Sequence, residues 1–529
     1  MRIGNAIAST WRAPLAMVAA LLPLTAAAAP APWRNPAASF PTVEQLDLSA
    51  ARQPTDAGPL FPAASRPLTQ WLSAARSQPS LREPSSFDVA SELMTDDARA
   101  LASALDAFVR APRLGAERRR IRRSIAAAYA GRDFARFWSA DGRWSAAALS
   151  AGERLRDAAD DGLNLGAYPL PRLDGAASLD DELALSESVA AYALQASGGR
   201  IDPARISGLI GARPDLPDAG GAAARVAAAG ARAGETLQDF NPGHYGYRAL
   251  RAKLVELRAA RRDGVDSPRL AAVAPNAADD AEPVGAKAAR RAKPARGQME
   301  AEVVANMERW RWLPRDLGAS RVEVNIPDFE LTVVRDGQVA HRTRVIVGKE
   351  ETPTPIFSNA VKFIIVNPYW HVPPSIIAKE WGGDVSRAAA KGWKVSYHNG
   401  QAQVAQPPGE SNALGRIKFI FPNDFAVYMH DTPSRGLFSA ARRAFSHGCM
   451  RVEEPFALAE AVLGPHSGWS QARVKKLIGE KERYINLDQP LPIHVEYFTT
   501  YVDEFGELRS RPDLYGYSAR VRRELGLGG

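Results

Sequence analysis

The sequence predicts an α+β protein, with an α-helical front half, a linker and a mainly β back half. Three observations carry this expectation. From Ser91 to about Arg261 apolar side chains recur at helical spacing among small residues, as Ile125, Tyr129 and Phe134 do in "RSIAAAYAGRDFARFW". Residues 263–297 are alanine, proline and charge with almost no large apolar side chain, so they bury too little surface to offset the entropy of ordering. After about residue 320, short β-branched and aromatic runs such as "RVEVNIP" and "KFIIVNPYWHVP" are bounded by Gly, Pro, Asn and Asp.

A chain of 529 residues is too long for one core and is expected to form two or three domains. Arg2 and Arg12 precede "APLAMVAALLPLTAAAA", the order of a secretory signal peptide over residues 1–29. Pro14 and Pro23 interrupt that run, which makes it a poor membrane span. The expectation is therefore export to the periplasm, with the membrane touched at most peripherally. Residues 30–83 are rich in Pro, Ala and Ser and read as a loosely packed leader. Residues 84–262 are expected to form a helical scaffold domain, in which "DELALSESVAAYALQASGGRIDP" is a helix stopped by Gly198 and Gly199. Residues 263–297 are the linker, 298–517 the β-rich domain and 518–529 a C-terminal tail. Within the β-rich part, Asp336-Gly337 is placed to make a type I′ hairpin turn.

The formal charge of +8 and sequence pI near 9.5 are modest for this length, and the arginines are scattered. That suits weak attraction to an anionic surface or polymer and gives no support for a nucleic-acid partner. A single cysteine, Cys449 in "RAFSHGCMRVEEP", excludes an internal disulfide and any zinc site built on several thiolates. It is either a small buried apolar residue or a nucleophile.

The neighbours of Cys449 decide what a nucleophile there would need. A thiol with a pKa near ~8.5 is mostly protonated at neutral pH and requires a base or a positive setting. His430 closes a strand in "FAVYMHDTPS", 19 residues before Cys449, and the intervening loop is long enough to fold back. Asp431 offers the second ring nitrogen of His430 an acceptor, and the N–H groups of Gly448 and Cys449 are candidates for an oxyanion site. His447 and Arg451 add donors or charge for a carboxylate. A zinc reading of His430, His447 and Cys449 is weaker, because Glu453 and Glu454 are expected to cap the helix that follows.

"HDTPSRGLFSAARRAFSHGCMRV" resembles the signature of the L,D-transpeptidase catalytic domain, the YkuD family. Flanking stretches resemble its large Gram-negative YcbB-type members: "NMERWRWLP", "RVIVGKEETPTPIFS", "VNPYWHVPPSI", "IKFIFPN" and "RPDLYGY", with "AADDGLNLGAYP" and "GGRIDP" in the helical half. The resemblance implies a mainly β-sandwich catalytic domain with a capping segment inserted at about residues 373–415. It makes Cys449 the acyl-forming nucleophile, His430 its base and the Asp431 carbonyl the group that orients it, with His447 and Gly448 polarising the substrate. It places Arg451, Ser446, Tyr428 and Trp381 on the substrate side. The implied reaction joins peptidoglycan stem peptides through 3→3 crosslinks, needs no metal or organic cofactor, and makes the thiol acylable by carbapenems. Other wall-synthesis enzymes are possible partners. Water or an envelope protein as the acyl acceptor, or a non-catalytic wall-binding scaffold, are the alternatives. One departure is that the linker stands where such members carry a peptidoglycan-binding module.

Overall fold

The computed structural model describes residues 94–263, 271–272, 296–398 and 400–528. The expected signal peptide, the Pro/Ala/Ser-rich leader and nearly all of the expected linker lie outside the described residues. The described protein is α+β, with helices first and a β-rich domain after them.

Six helices build the scaffold: α1 (Asp96–Arg110), α2 (Ala116–Ala130), α3 (Ala146–Arg156), α4 (Leu179–Gly198), α5 (Ala219–Ala228) and α6 (Ala233–Gln238). Thr95, Ser145, Ser178 and Asp218 start four of them, each side chain accepting the N–H three residues on. Small residues on every side of α4 let its neighbours close around it, so it is buried nearly throughout. Its Val189, Tyr192 and Ala193 share a core with Ile125, Tyr129 and Trp138.

The next helix, α7 (Tyr245–Arg262), reads as scaffold in sequence but packs elsewhere. Its Tyr247, Leu250, Leu254 and Leu257 join the core of the β-rich domain, together with Val303 and Met307 of α8 (Arg296–Trp310). Strands β1 (Arg321–Asn325), β2 (Glu330–Arg335), β3 (Gln338–Gly348) and β4 (Phe357–Val366) follow. Asp336 and Gly337 both take positive φ between β2 and β3, as a type I′ turn requires.

An inserted cap comes next. It comprises β5 (Trp370–His371), α9 (Pro374–Trp381), α10 (Ser386–Ala390), β6 (Lys394–His398) and β7 (Gln401–Gln406). It has its own small core of Val372, Ile377, Val385, Ala388 and Val404, and Trp381 packs there against Trp393 at 5.8 Å. At its base the Asn412 amide donates to the carbonyls of Pro368 (3.1 Å) and Pro407 (2.9 Å).

The chain returns through β8 (Ile417–Ile420), β9 (Met429–His430), β10 (Ala444–Ser446) and β11 (Met450–Val452). Helices α11 (Pro455–Leu463) and α12 (Gln471–Lys475) lead to the long β12 (Arg483–Glu496), the hairpin of β13 (Thr500–Val502) and β14 (Leu508–Ser510), and α13 (Tyr517–Glu524). The main sheet runs β10-β3-β11-β9-β8-β4-β12-β1-β2, and β2 pairs again with β3. The sheet therefore wraps closed around one apolar core, which removes most of its free edge. Residues 518–529 are not a tail over their first half. Ser518 and Val521 of α13 are buried, and the Ser518 hydroxyl accepts from Arg309 of α8 at 2.6 Å.

Two of the conspicuous sequence motifs meet where scaffold and β-rich domain join. Glu308 of "NMERWRWLP" is fully buried, and its carboxylate accepts the N–H groups of Arg200 (2.5 Å) and Ile201 (3.0 Å) from "GGRIDP". Gly199 sits at φ +93°, and a Cβ there would stand 2.5 Å from the Glu308 carboxylate oxygen. Asp161 of "AADDGLNLGAYP" is also buried and accepts from Tyr192 of α4 and Arg251 of α7, each at 2.5 Å. Replacing Gly199 with alanine therefore adds backbone strain and pushes the carboxylate off two buried donors, together about 3 kcal/mol. Calorimetry should show the Gly199→Ala unfolding midpoint lowered by about 3–5 °C. An unchanged midpoint would contradict this account of the joint.

Candidate active site

Period-2 alternation sorts the residues of three neighbouring strands. Ile417, Phe419, Met429, Met450 and Val452 are buried in the core. Lys418, Tyr428, His430 and Arg451 hold the alternate positions and so face the other way. Register lines them up: β8 runs antiparallel to β9 with Lys418 opposite His430, and β9 runs parallel to β11 with His430 opposite Arg451. Lys418, His430 and Arg451 thus form one row across three strands, with Cys449 at the entry of β11.

Parallel neighbours need a long connection, and residues 431–449 supply it. Two anchors fix this connection. The buried Arg443 guanidinium donates to the carbonyls of Phe329 (3.1 Å), Val345 (3.3 Å) and Ala440 (3.0 Å). Burial pulls its pKa down to about 10, so it remains charged. At the other end the Asp431 carboxylate accepts from the N–H of Arg416 (2.8 Å), the N–H of Thr432 (2.7 Å) and the Arg435 guanidinium (2.5 Å). Gly415 must be glycine here, since it takes φ +60° and a Cβ would lie 2.4 Å from Asp431.

The turn that presents Cys449 is held from inside. The Ser446 hydroxyl donates to the Cys449 carbonyl (2.5 Å) and accepts the Gly448 N–H (3.2 Å), while Gly448 takes φ +112°. Behind it, the Thr354 hydroxyl donates to the Gly448 carbonyl (2.8 Å) and accepts the N–H of Gly348 (2.8 Å). Tyr515 of "RPDLYGY" donates to the Gly348 carbonyl at 2.7 Å. Two expectations change as a result. Ser446 is buried and serves the turn rather than the substrate side, and the Gly448 N–H is already bonded and is not a ready oxyanion donor.

Tyr428 stands beside Cys449 in the paired strands, where its carbonyl accepts the Met450 N–H at 3.1 Å. Burial pushes the Cys449 thiol pKa up, and Tyr428, Lys418 and Arg451 pull it back down. His430 Nδ1 lies 2.5 Å from the Asp431 carbonyl oxygen. A carbonyl only accepts, so Nδ1 carries the proton and Nε2 keeps its lone pair. Burial pushes the His430 pKa down to about 3, and the charges of Arg451 and Lys418 add to the effect. The imidazole is neutral at physiological pH. The Tyr428 ring meets the His430 ring edge-on at 5.7 Å, and the Lys418 ammonium lies 3.8 Å from the Tyr428 ring centroid.

Of the residues expected at the site, Cys449, His430, Asp431, Gly448, Tyr428 and Arg451 come together. His447 is exposed next to the thiol turn. Trp381 is half-buried and packs against the cap's own core. Glu453 pairs with Arg344 instead of capping α11, and Glu454, at the capping position, makes no side-chain cap. Sequence reasoning missed Lys418, Arg443 and Thr354. A lysine at an outward strand position looks like an ordinary solvent-facing residue, and only the register reveals its company.

A thiol beside a tyrosine, on the same sheet face as a neutral histidine with one bare nitrogen, is equipment for nucleophilic acyl transfer on a closed β-sheet. Comparison with known proteins agrees. Residues 319–476 match the family model of the L,D-transpeptidase catalytic domain (YkuD), and residues 123–254 match that of a Scaffold domain. A Haemophilus influenzae protein named "Putative L,D-transpeptidase" is 32% identical over 222 residues, 37% of this chain and 44% of that protein. The match thus spans less than half of that relative's length. Among solved structures, an L,D-transpeptidase from Mycobacterium smegmatis is 16% identical, with TM-score 0.20, over 34% of this chain and 58% of that one. L,D-transpeptidase 3 from Mycobacterium tuberculosis, in complex with a faropenem-derived adduct, is 14% identical, with TM-score 0.19, over 34% of this chain and 60% of that one.

The His430 assignment has a direct spectroscopic consequence. Nitrogen-15 NMR of the ring should report a neutral imidazole protonated at Nδ1, with no titration between pH 8 and pH 5. A titration midpoint near ~6.5, the ordinary histidine value, would contradict it.

Proposed function

We propose that the protein is a cysteine-dependent L,D-transpeptidase of peptidoglycan that builds 3→3 crosslinks in the periplasm. The observation that carries this reading is the setting of Cys449, which shares one sheet face with Tyr428, His430, Lys418 and Arg451. In the first step the sulfur attacks the carbonyl carbon of the third stem residue while His430 Nε2 takes the thiol proton. The tetrahedral oxyanion is received by the Cys449 N–H, with His447 nearby. Collapse breaks the peptide bond to the terminal D-residue, whose amine leaves with the proton from His430, and a thioester remains. In the second step the side-chain amine of a diaminopimelate on another stem attacks the thioester. It passes its proton through His430 to the departing sulfur, which restores the thiol.

Arg451 suits the donor's carboxylate. Its Nε is buried without a hydrogen-bond partner among the described residues, and an anion there would satisfy it. The cap, with its separate small core, is the part we assign to covering a bound stem. The export signal read at residues 1–29 supports the periplasmic location.

Purified protein incubated with disaccharide-tetrapeptides should yield 3→3 dimers by mass spectrometry, and Cys449→Ala should abolish them. Tripeptide without dimers would make water the acceptor. Neither product from the unaltered protein would overturn the reading.

A further inference from the structure

The row across β8, β9 and β11 contains a cation that the acyl-transfer steps leave without a task. Lys418 is half-buried on β8, opposite His430, and makes no ion pair among the described residues. Its ammonium rests on the face of the Tyr428 ring, 3.8 Å from the centroid, and the strand register sets that tyrosine beside Cys449, where it lowers the thiol pKa. A lysine side chain is flexible and strongly hydrated, so withdrawing it from water without an anionic partner is costly. The cost is offset if an anion arises nearby during the reaction.

We propose that Lys418 is a positioning residue that acts through Tyr428: its charge on the ring strengthens the phenol as a hydrogen-bond donor and stabilises Cys449 as a thiolate. A cation over an aromatic face draws electron density from the ring, which makes the attached O–H a better donor. The arrangement is in place before the thiol ionises, so no reorganisation is needed when charge develops on sulfur. The other charged and titratable groups around this cluster are accounted for. Arg451, on β11, adds positive potential at the sulfur. His430, on β9, is held neutral. Glu482 opposes the loss of charge at Lys418, while its own oxygens accept from the Tyr369 N–H (3.0 Å) and the Tyr484 hydroxyl (2.9 Å). The cation that faces the Tyr428 ring is therefore not neutralised by a direct partner.

This inference rests on the reading of Cys449 as a nucleophile, and its test requires no stem peptide. The rate of Cys449 alkylation by iodoacetamide, followed by intact mass from pH 5 to pH 10, reports thiolate directly. Lys418→Met should move the profile up by about one pH unit, which slows alkylation at pH 7 about tenfold. Lys418→Arg should restore most of the shift. In a Tyr428→Phe background, the added Lys418→Met should shift the profile far less than it does alone, because the relay is already cut. Lys418→Gln, which keeps a polar tip, is read in the same way if the methionine variant does not fold. A profile superimposable on the unaltered protein in both neutral variants would overturn the proposal. So would a full Lys418→Met shift persisting without the Tyr428 hydroxyl. Failure of the transpeptidase reading would appear instead as a lack of crosslinked product from the unaltered protein.

Discussion

The chemistry of this protein depends on a parallel pairing between two very short strands. Met429–His430 lies alongside Met450–Val452, and that alignment sets His430 opposite Arg451 with Tyr428 beside Cys449. Two pairs of residues cannot hold such a register alone. The connection between them is therefore tied down at both ends by charged groups taken out of water, Arg443 on three carbonyls and Asp431 on three donors. Each is fully engaged, which is the condition under which a buried charge organises a fold instead of weakening it.

The remainder of the domain supports that alignment. Thr354 and Tyr515 brace the Gly448 turn from behind, so "KEETPTP" and "RPDLYGY", far apart in sequence, serve one purpose. Helices α7, α8 and α13 back the closed sheet, and Glu308 and Asp161 tie them to the scaffold through buried hydrogen bonds. The scaffold thus fixes the outer surface of the catalytic domain, while the cap, with its own core, is joined at a narrow base.

Much of this could be read in the sequence. The helical half, the strand-rich half, the Gly198-Gly199 stop and the Asp336-Gly337 turn follow from local periodicity and backbone preference. Cys449, His430 and Asp431 stood out because their chemistry is scarce or adjacent. What stayed hidden depends on pairing between distant segments. Closure of the sheet through β2 and β3, the transfer of α7 to the catalytic core and the burial of α13 all follow from tertiary packing. Ser446 looked like a substrate contact by its place in the motif and Trp381 by its place in the capping segment, yet one spends its hydroxyl inside the turn and the other packs on Trp393. Lys418 carried no local signal, since its importance comes from the strand register alone.

At rest the site holds a protonated thiol and a neutral imidazole, kept so by burial, with positive charge waiting for the thiolate. That account makes Cys449 the group that carries the acyl chain. The most direct measurement is intact-protein mass spectrometry after exposure to a carbapenem, followed by peptide mapping. A gain of one carbapenem mass on the peptide containing Cys449, absent in Cys449→Ala, is the expected result. An unmodified protein, or an adduct on any other residue, would contradict it.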